Sequence, residues 1–366
     1  MKKIRKYLED ILYQRYTETP PLLLRAGLCI LEAVYAACTT FRNFLYDRNF
    51  IRTKNIPCRV ISIGNITVGG TGKTPVVIMT AKMLCDTGFS VAVVSRGYGR
   101  KSHAPLVVSD ESGILVSPAE AGDEPHIIAQ ELPGIPVVVG KNRYKAAQLA
   151  YERFKPRIII LDDAFQHRRL YRNVNIVTMD AENPFGNDHL LPRGLLRESP
   201  FELKRAHVVI VTRFGDEYRK DKFERMIRFH YRNALIFWSK HVPAGLREPC
   251  GKKRLELNTI RGNKAAALSN IVNHDSFHRI LESLGAEIVA KHTMPDHHTY
   301  TREELENIET SARDADADVL VMTAKDERNI PERYNAEIID KLVLDIEAEL
   351  IDDKEAYLDI LKPVML

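Results

Sequence analysis

Residues 67–74 read TVGGTGKT and lie between the apolar run CRVISIGN (58–65) and a helical pattern. Gly69, Gly70 and Gly72 permit a tight turn whose backbone N–H groups converge on an anion, and a helix N-terminus behind them adds a favourable dipole. In such a loop Lys73 reaches the β- and γ-phosphates of a nucleotide, while the Thr74 hydroxyl binds Mg²⁺. Thr67, Val68 and Thr71 complete the cradle, and Pro75 falls in the first helical turn, where its missing N–H costs nothing. The pattern departs from G-x-x-x-x-G-K-[ST] at one place, since Thr67 stands where glycine is expected.

A second chemical cluster is RIIILDDAFQHRRLYR (157–172), an apolar strand that ends in Asp162 and Asp163. Carboxylates at a strand end beside a phosphate loop hold Mg²⁺ directly or through water. Adjacent acids repel unless cations compensate, and Arg168, Arg169 and Arg172 follow at once. GDEPHIIAQ (122–130) places Asp123 and Glu124 at a helix start, where the dipole alone would also favour acids. KNRYKAA (141–147) puts cations at a helix start, against the dipole, which points to an anionic ligand. MPDHHTY (294–300) gathers Asp296, His297 and His298, a combination open to three readings: a general base, a metal site or a capping turn.

Two classes of nucleotide switch fit poorly. Partitioning-type ATPases carry a lysine just before the Gly-Gly pair, and here that residue is Val68. GTPases read guanine with N-K-x-D, whereas TRFGD (212–216) occupies that place without the asparagine or the spacing. ATP is the expected nucleotide. The main alternatives are an ATPase switch acting on protein partners and a nucleotide-sensing peripheral membrane protein. The first would show the signature lysine or a Cys/His metal cluster, and the second would leave the carboxylates idle.

The elements that position these residues follow α/β spacing. Strands are expected at 58–63, 90–95, 136–139, 157–161, 174–179 and 207–212, with helices such as 73–87 and 142–154 between them. Short β-branched runs alternating with helices indicate a mostly parallel sheet covered on both faces. A second series (264–270, 275–285, 287–291, 302–315, 318–323 and 341–345) follows a Pro/Gly/Lys-rich stretch. Three regions result: an N-terminal segment 1–50, a P-loop core 51–220 and a smaller α/β lobe 221–366, whose last residues are allowed to pack back on the core. The five cysteines form no C-x-x-C pair, which suits a reducing compartment.

The N-terminal segment carries ten Lys/Arg against five acids in residues 1–54, although the whole chain has a formal net charge of only +4. Residues 20–41 are strongly apolar, with Arg25, Glu32 and Asn43 on one side of a helix. Such a stripe fits a helix lying in a membrane interface or one packed on its own domain.

Together these motifs resemble the tetraacyldisaccharide 4'-kinase family over nearly the whole chain. The resemblance runs from SIGNITVGGTGKTP through SRGYGR, GDEP, VVVGKNR, ILDDAFQHRRL and GNDHLLPRGLLRES to MPDHHTYT and TAKD (323–326). It implies transfer of the γ-phosphate of ATP to the 4'-hydroxyl of a tetraacylated glucosamine disaccharide 1-phosphate, giving lipid IVA. It also implies a peripheral place at the cytoplasmic face of the bacterial inner membrane, through an N-terminal membrane-associating helix. Partners are then the acylated disaccharide lipid and the membrane surface, with no nucleic acid and no obligate protein partner. By motif, residues 67–74 cradle ATP, and Asp162, Asp163 and Glu198 serve Mg²⁺ or the phosphate network. Asp123 and His297 resemble the family's acid–base pair; they sit in different lobes, so joint action requires the lobes to close. Tyr98, Glu124, Arg143, Gln166, His167 and Arg197 resemble supporting contacts. The sequence departs from the family at Ala164, Arg193 and Leu195 and in SNIVNHDSF (269–277), leaving every catalytic candidate intact.

Overall fold

The computed structural model describes residues 22–365, apart from 101, 103, 216, 250–253, 272–273, 296–297, 332–333 and 335–337. The chain divides into two units: the first ends at Lys240 and resumes at Leu350, and the second is His241–Glu349. In chain order, the first unit begins with α1 (Leu22–Asp47), β1 (Arg59–Gly64), α2 (Lys73–Asp86), β2 (Val91–Ser95), β3 (Leu106–Asp110) and β4 (Gly113–Ile114). There follow α3 (Pro118–Ala121), α4 (Asp123–Glu131), β5 (Val137–Val139), α5 (Arg143–Phe154), β6 (Ile158–Asp162), β7 (Val174–Asp180), β8 (Val208–Thr212), α6 (Lys220–His230) and β9 (Leu235–Arg247).

The first sheet has the order β9-β8-β7-β1-β6-β2-β5-β3-β4. Strands from β8 through β5 run parallel and are buried on both faces, which explains their continuous Val/Ile composition. The edge is an antiparallel hairpin, β3–β4, set inside the long Gly/Pro-rich crossover 97–135. Strand β1 lies between β6 and β7, and its register pairs Ile63 with Asp162. The glycine loop leaving β1 therefore starts beside the carboxylates leaving β6.

Helix α6 and residues 235–240 of β9, which the composition change had placed in the second lobe, lie in the first unit. The physical reason is burial: Phe223, Ile227 and Trp238 share a core with Val209, Val211 and Phe214.

In the second unit, β10 (Arg254–Leu255) pairs antiparallel with the end of β9. It is followed by β11 (Lys264–Ser269), α7 (His274–Ser283), β12 (Glu287–Thr293), α8 (Arg302–Asp314), β13 (Val319–Thr323), α9 (Ala324–Arg328) and β14 (Asp340–Leu350). Four of these strands form a parallel sheet in the order β12-β11-β13-β14. The buried Asp326 accepts from Tyr300 Oη at 2.6 Å, tying TAKD to the end of the 294–300 loop. The last helix, α10 (Lys354–Met365), belongs to the first unit, where the fully buried Tyr357 shares a hydrogen bond of 2.9 Å with Thr80.

Candidate active site

The glycine loop is shaped by close backbone approaches and buried hydroxyls. Gly72 precedes α2 with φ of 68°, and a Cβ there would lie 3.1 Å from Thr212 Cβ. Thr212 Oγ1 donates to Thr71 O at 2.9 Å. Thr71 Oγ1 accepts from Asn65 Nδ2 at 3.0 Å and meets Thr178 Oγ1 at 2.8 Å. Neutral hydroxyl and amide groups thus support the loop at Thr71. Lys73 opens α2, is nearly buried, and places Nζ 3.8 Å from Asp163 Oδ1 and 3.5 Å from Gly69 O. Thr74 is half-buried beside it.

The two aspartates are held differently. Asp162 ends β6 fully buried; its Oδ2 accepts from Ser95 Oγ at 2.7 Å, and its Oδ1 has no partner. Burial, then the charges of Glu124 and Asp163, push its carboxyl up to about 7, against the pull of Ser95 and Lys73. Asp163 follows with φ of 47°, a strained left-handed conformation that turns its carboxylate back toward Lys73. Burial opposes its charge, yet Lys73 and then Arg197 hold the carboxyl below its ordinary range. Arg197 Nη1 reaches both Asp163 oxygens, at 2.8 and 3.0 Å.

Around this pair the buried Arg143 braces main chain, donating to Gly140 O, Asp162 O and Asp163 O at 3.2, 3.3 and 3.4 Å. Its Nε has no partner. Gln166 Nε2 donates to Asn65 O at 2.8 Å, joining the carboxylate loop to the base of the glycine loop. His167 is driven down to about 4 by burial and then by Arg143, Arg172, Arg169 and Arg96, so it is neutral at physiological pH. Asp123 and Glu124 open α4, which packs on α2. Gly122, with φ of 89°, lets that helix start against Tyr98 O; a Cβ would come within 2.8 Å. The Tyr98 ring itself is exposed.

A family model described as tetraacyldisaccharide-1-P 4'-kinase matches residues 24–365. The tetraacyldisaccharide 4'-kinase of Syntrophus aciditrophicus is 43% identical over 309 residues, 81% of this chain and 82% of that protein. That of Desulfatibacillum aliphaticivorans is 37% identical over 99% of this chain and 98% of its own. The crystal structure of LpxK from Aquifex aeolicus in complex with ATP superposes with a TM-score of 0.75 at 30% identity, covering 94% of this chain and all of that one. The chain belongs to the tetraacyldisaccharide 4'-kinase family.

Within this family frame, the chain's own departures gain a physical reading. Leu195 is buried, with its Cβ 2.8 Å from where a Cβ on Gly186 would stand. Arg193 Nη1 pairs with Glu32 Oε2 on α1 at 3.1 Å. The same carboxylate accepts from Leu190 N at 3.0 Å.

The kinase's N-terminal helix turns Glu32 and Asn43 of its polar stripe inward, while Arg25 stays exposed. Glu32, Tyr35 and Asn43 contact the core, while Ile30 is 66% and Val34 56% exposed, as are Leu23 and Phe41. By length and composition α1 could cross a membrane. The helix packs on its domain, as one of the two readings expected, and leaves an apolar face outward.

Glu198, expected at the metal, is buried with both oxygens paired in this structure. Oε1 takes Arg42 and Asn43 Nδ2, and Oε2 takes Arg205. His297 lies outside the described residues. Sequence reasoning missed Arg213, whose Nη2 donates to Gly70 O at 2.6 Å while the guanidinium pairs with Asp180. The available signal was TRFGD at the end of β8, read only for the guanine code it lacks.

Proposed function

We propose that the protein transfers the γ-phosphate of ATP to the 4'-hydroxyl of tetraacyldisaccharide 1-phosphate, forming lipid IVA in lipid A biosynthesis. Family membership supports the reaction, and the observation that carries it to these residues is the approach of Lys73 to Asp163 beside the glycine loop. The N–H groups of residues 67–74 would bind the phosphates, and Lys73 would offset charge on the transferring group.

Thr74, Asp162 and Asp163 would hold Mg²⁺. The donors are hard oxygens, as that ion prefers, and the buried, unpartnered Asp162 Oδ1 is a carboxylate oxygen whose charge needs a cation. Among the described residues no group of three His, Cys, Asp or Glu side chains could hold a metal alone. Mg²⁺ at nucleotide sites takes only one or two carboxylates besides phosphate and water, so the pair suffices. When bound, the ion supplies charge neutralisation for phosphoryl transfer.

An alcohol is a poor nucleophile at neutral pH, so a base that orients it and takes its proton contributes about 10²–10⁴. Asp123 would fill that role at the start of α4. Its partner base would be His297, on the strength of the family resemblance. Arg197 would hold Asp163 ionised, and Arg143, Gln166 and His167 would fix the loop that carries the aspartates. Glu198 would serve as a clamp on α1 rather than a ligand.

The outward apolar face of α1 would lie in the cytoplasmic leaflet of the inner membrane. A lipid with four acyl chains leaves the bilayer at a cost of about 0.8 kcal/mol for each exposed CH₂, so the enzyme must work at the headgroups. Incubating the purified protein with γ-labelled ATP and the disaccharide lipid tests the reaction. Label should enter the lipid in wild-type protein and not in Lys73→Ala; label appearing only as inorganic phosphate would refute the proposal.

A further inference from the structure

One backbone segment, residues 195–198, touches the phosphate site on one side and the N-terminal helix on the other. Toward the site, Arg197 N donates to Ile66 O at 2.7 Å, Val68 N donates to Leu195 O at 2.7 Å, and the Arg197 guanidinium binds Asp163. Toward the helix, Tyr35 Oη donates to Arg197 O at 2.9 Å, and Asn43 Nδ2 donates to the buried Glu198 at 3.2 Å. Arg168, five residues after Asp163, donates to Asn43 O at 3.1 Å and pairs with Asp47 at 2.5 Å.

We infer that α1 is a working part of the phosphate site, with Tyr35 and Asn43 as positioning residues that hold Arg197 against Asp163. The inference rests on the kinase reading above. A membrane anchor needs only its apolar face. Burying the Glu198 carboxylate against Asn43 and two arginines carries a desolvation cost that anchoring does not require. Fixing the backbone of Arg197 does require such contacts, because phosphoryl transfer depends on the placement of charge to within a fraction of an ångström.

The test compares Tyr35→Phe, Asn43→Ser and Ile30→Ser in the full chain. Rates are measured in neutral detergent micelles containing the lipid substrate, and binding by co-sedimentation with phosphatidylglycerol/phosphatidylethanolamine vesicles. Tyr35→Phe should lower kcat about fivefold, the rate equivalent of one hydrogen bond, with KM for ATP and vesicle binding unchanged. Asn43→Ser should behave alike, and Ile30→Ser should do the reverse, losing vesicle binding and keeping kcat in micelles. Wild-type kcat in both folded polar variants would overturn the inference, as would defects seen only on vesicles. If Tyr35→Phe fails to fold, Asn43→Ser decides alone. Wild-type protein that forms no 4'-phosphorylated lipid would instead sink the kinase reading.

Discussion

Arg197 and Asp163 form an ion pair in which one guanidinium nitrogen serves both carboxylate oxygens, at 2.8 and 3.0 Å. The pair sits next to Lys73, so Asp163 is shared between two cations. Removing Arg197 weakens the force that keeps this buried carboxylate ionised. Arg197→Ala is expected to lower kcat on the order of 10²-fold, the typical loss for one preorganised charge donor. Arg197→Lys should recover only part of this, because an ammonium is more strongly hydrated and sits on a flexible stem, so it is less preorganised against the carboxylate. Steady-state kinetics at saturating ATP would check it, and a kcat within twofold of wild type for Arg197→Ala would contradict it.

The Asp162 carboxyl, pushed up to about 7 chiefly by burial, must lose its proton to take a cation. Its folded value lies above that of a free carboxyl, so protons compete with Mg²⁺ as pH falls through 7. The half-saturating concentration of Mg²⁺ should rise about tenfold per pH unit below 7 and level off above it. Titrating free Mg²⁺ at several pH values and fixed saturating ATP measures this. A half-saturation constant flat from pH 5.5 to 8 would show that Asp162 is not the titrating ligand.

Asp123 opens α4, which packs on α2, and is the group proposed to take the acceptor hydroxyl's proton. Asp123→Ala should therefore lower kcat by about 10²–10⁴ while KM for ATP changes little. An ATP-affinity defect without loss of kcat would remove Asp123 from the acceptor side of the reaction.

Gly72 tests the loop itself. Its left-handed backbone costs a side-chain-bearing residue about 1–2 kcal/mol, and its missing Cβ leaves room for Thr212. Gly72→Ala should weaken ATP binding on the order of tenfold and lower the melting temperature in the absence of nucleotide. Calorimetric titration showing wild-type affinity would mean that the loop relaxes without strain.

The first unit's strands β1, β2, β5, β6, β7 and β8 were legible because burial on both faces writes them as Val/Ile-rich runs, and each falls within a residue or two of its expected place. By contrast β14, expected at 341–345, runs on to Leu350. Strand β9 was not legible, because it continues through Pro243 and Gly245, residues that ordinarily end a strand. The hairpin β3–β4 hid inside a long crossover rich in turn residues, where two short edge strands leave little periodicity. At the site, the glycine loop and twin aspartates announce themselves by type and spacing. Glu198 shows the limit: its sequence neighbours say only that it follows Arg197, whereas its partners Arg42 and Asn43 lie more than a hundred residues away. The inward turn of Glu32 and Asn43 on α1 was equally unreadable, since a polar stripe on an apolar helix is compatible with water, headgroups or a protein surface.

The most direct test of the account is the position of the phosphate on the product. After reaction with ATP and the tetraacylated disaccharide 1-phosphate, a phosphorus–proton correlation NMR spectrum of the purified lipid should show a new phosphomonoester coupled to the 4'-proton. It should be absent with Lys73→Ala. A new phosphate coupled to any other sugar proton, or only the original 1-phosphate with ATP consumed, would contradict it.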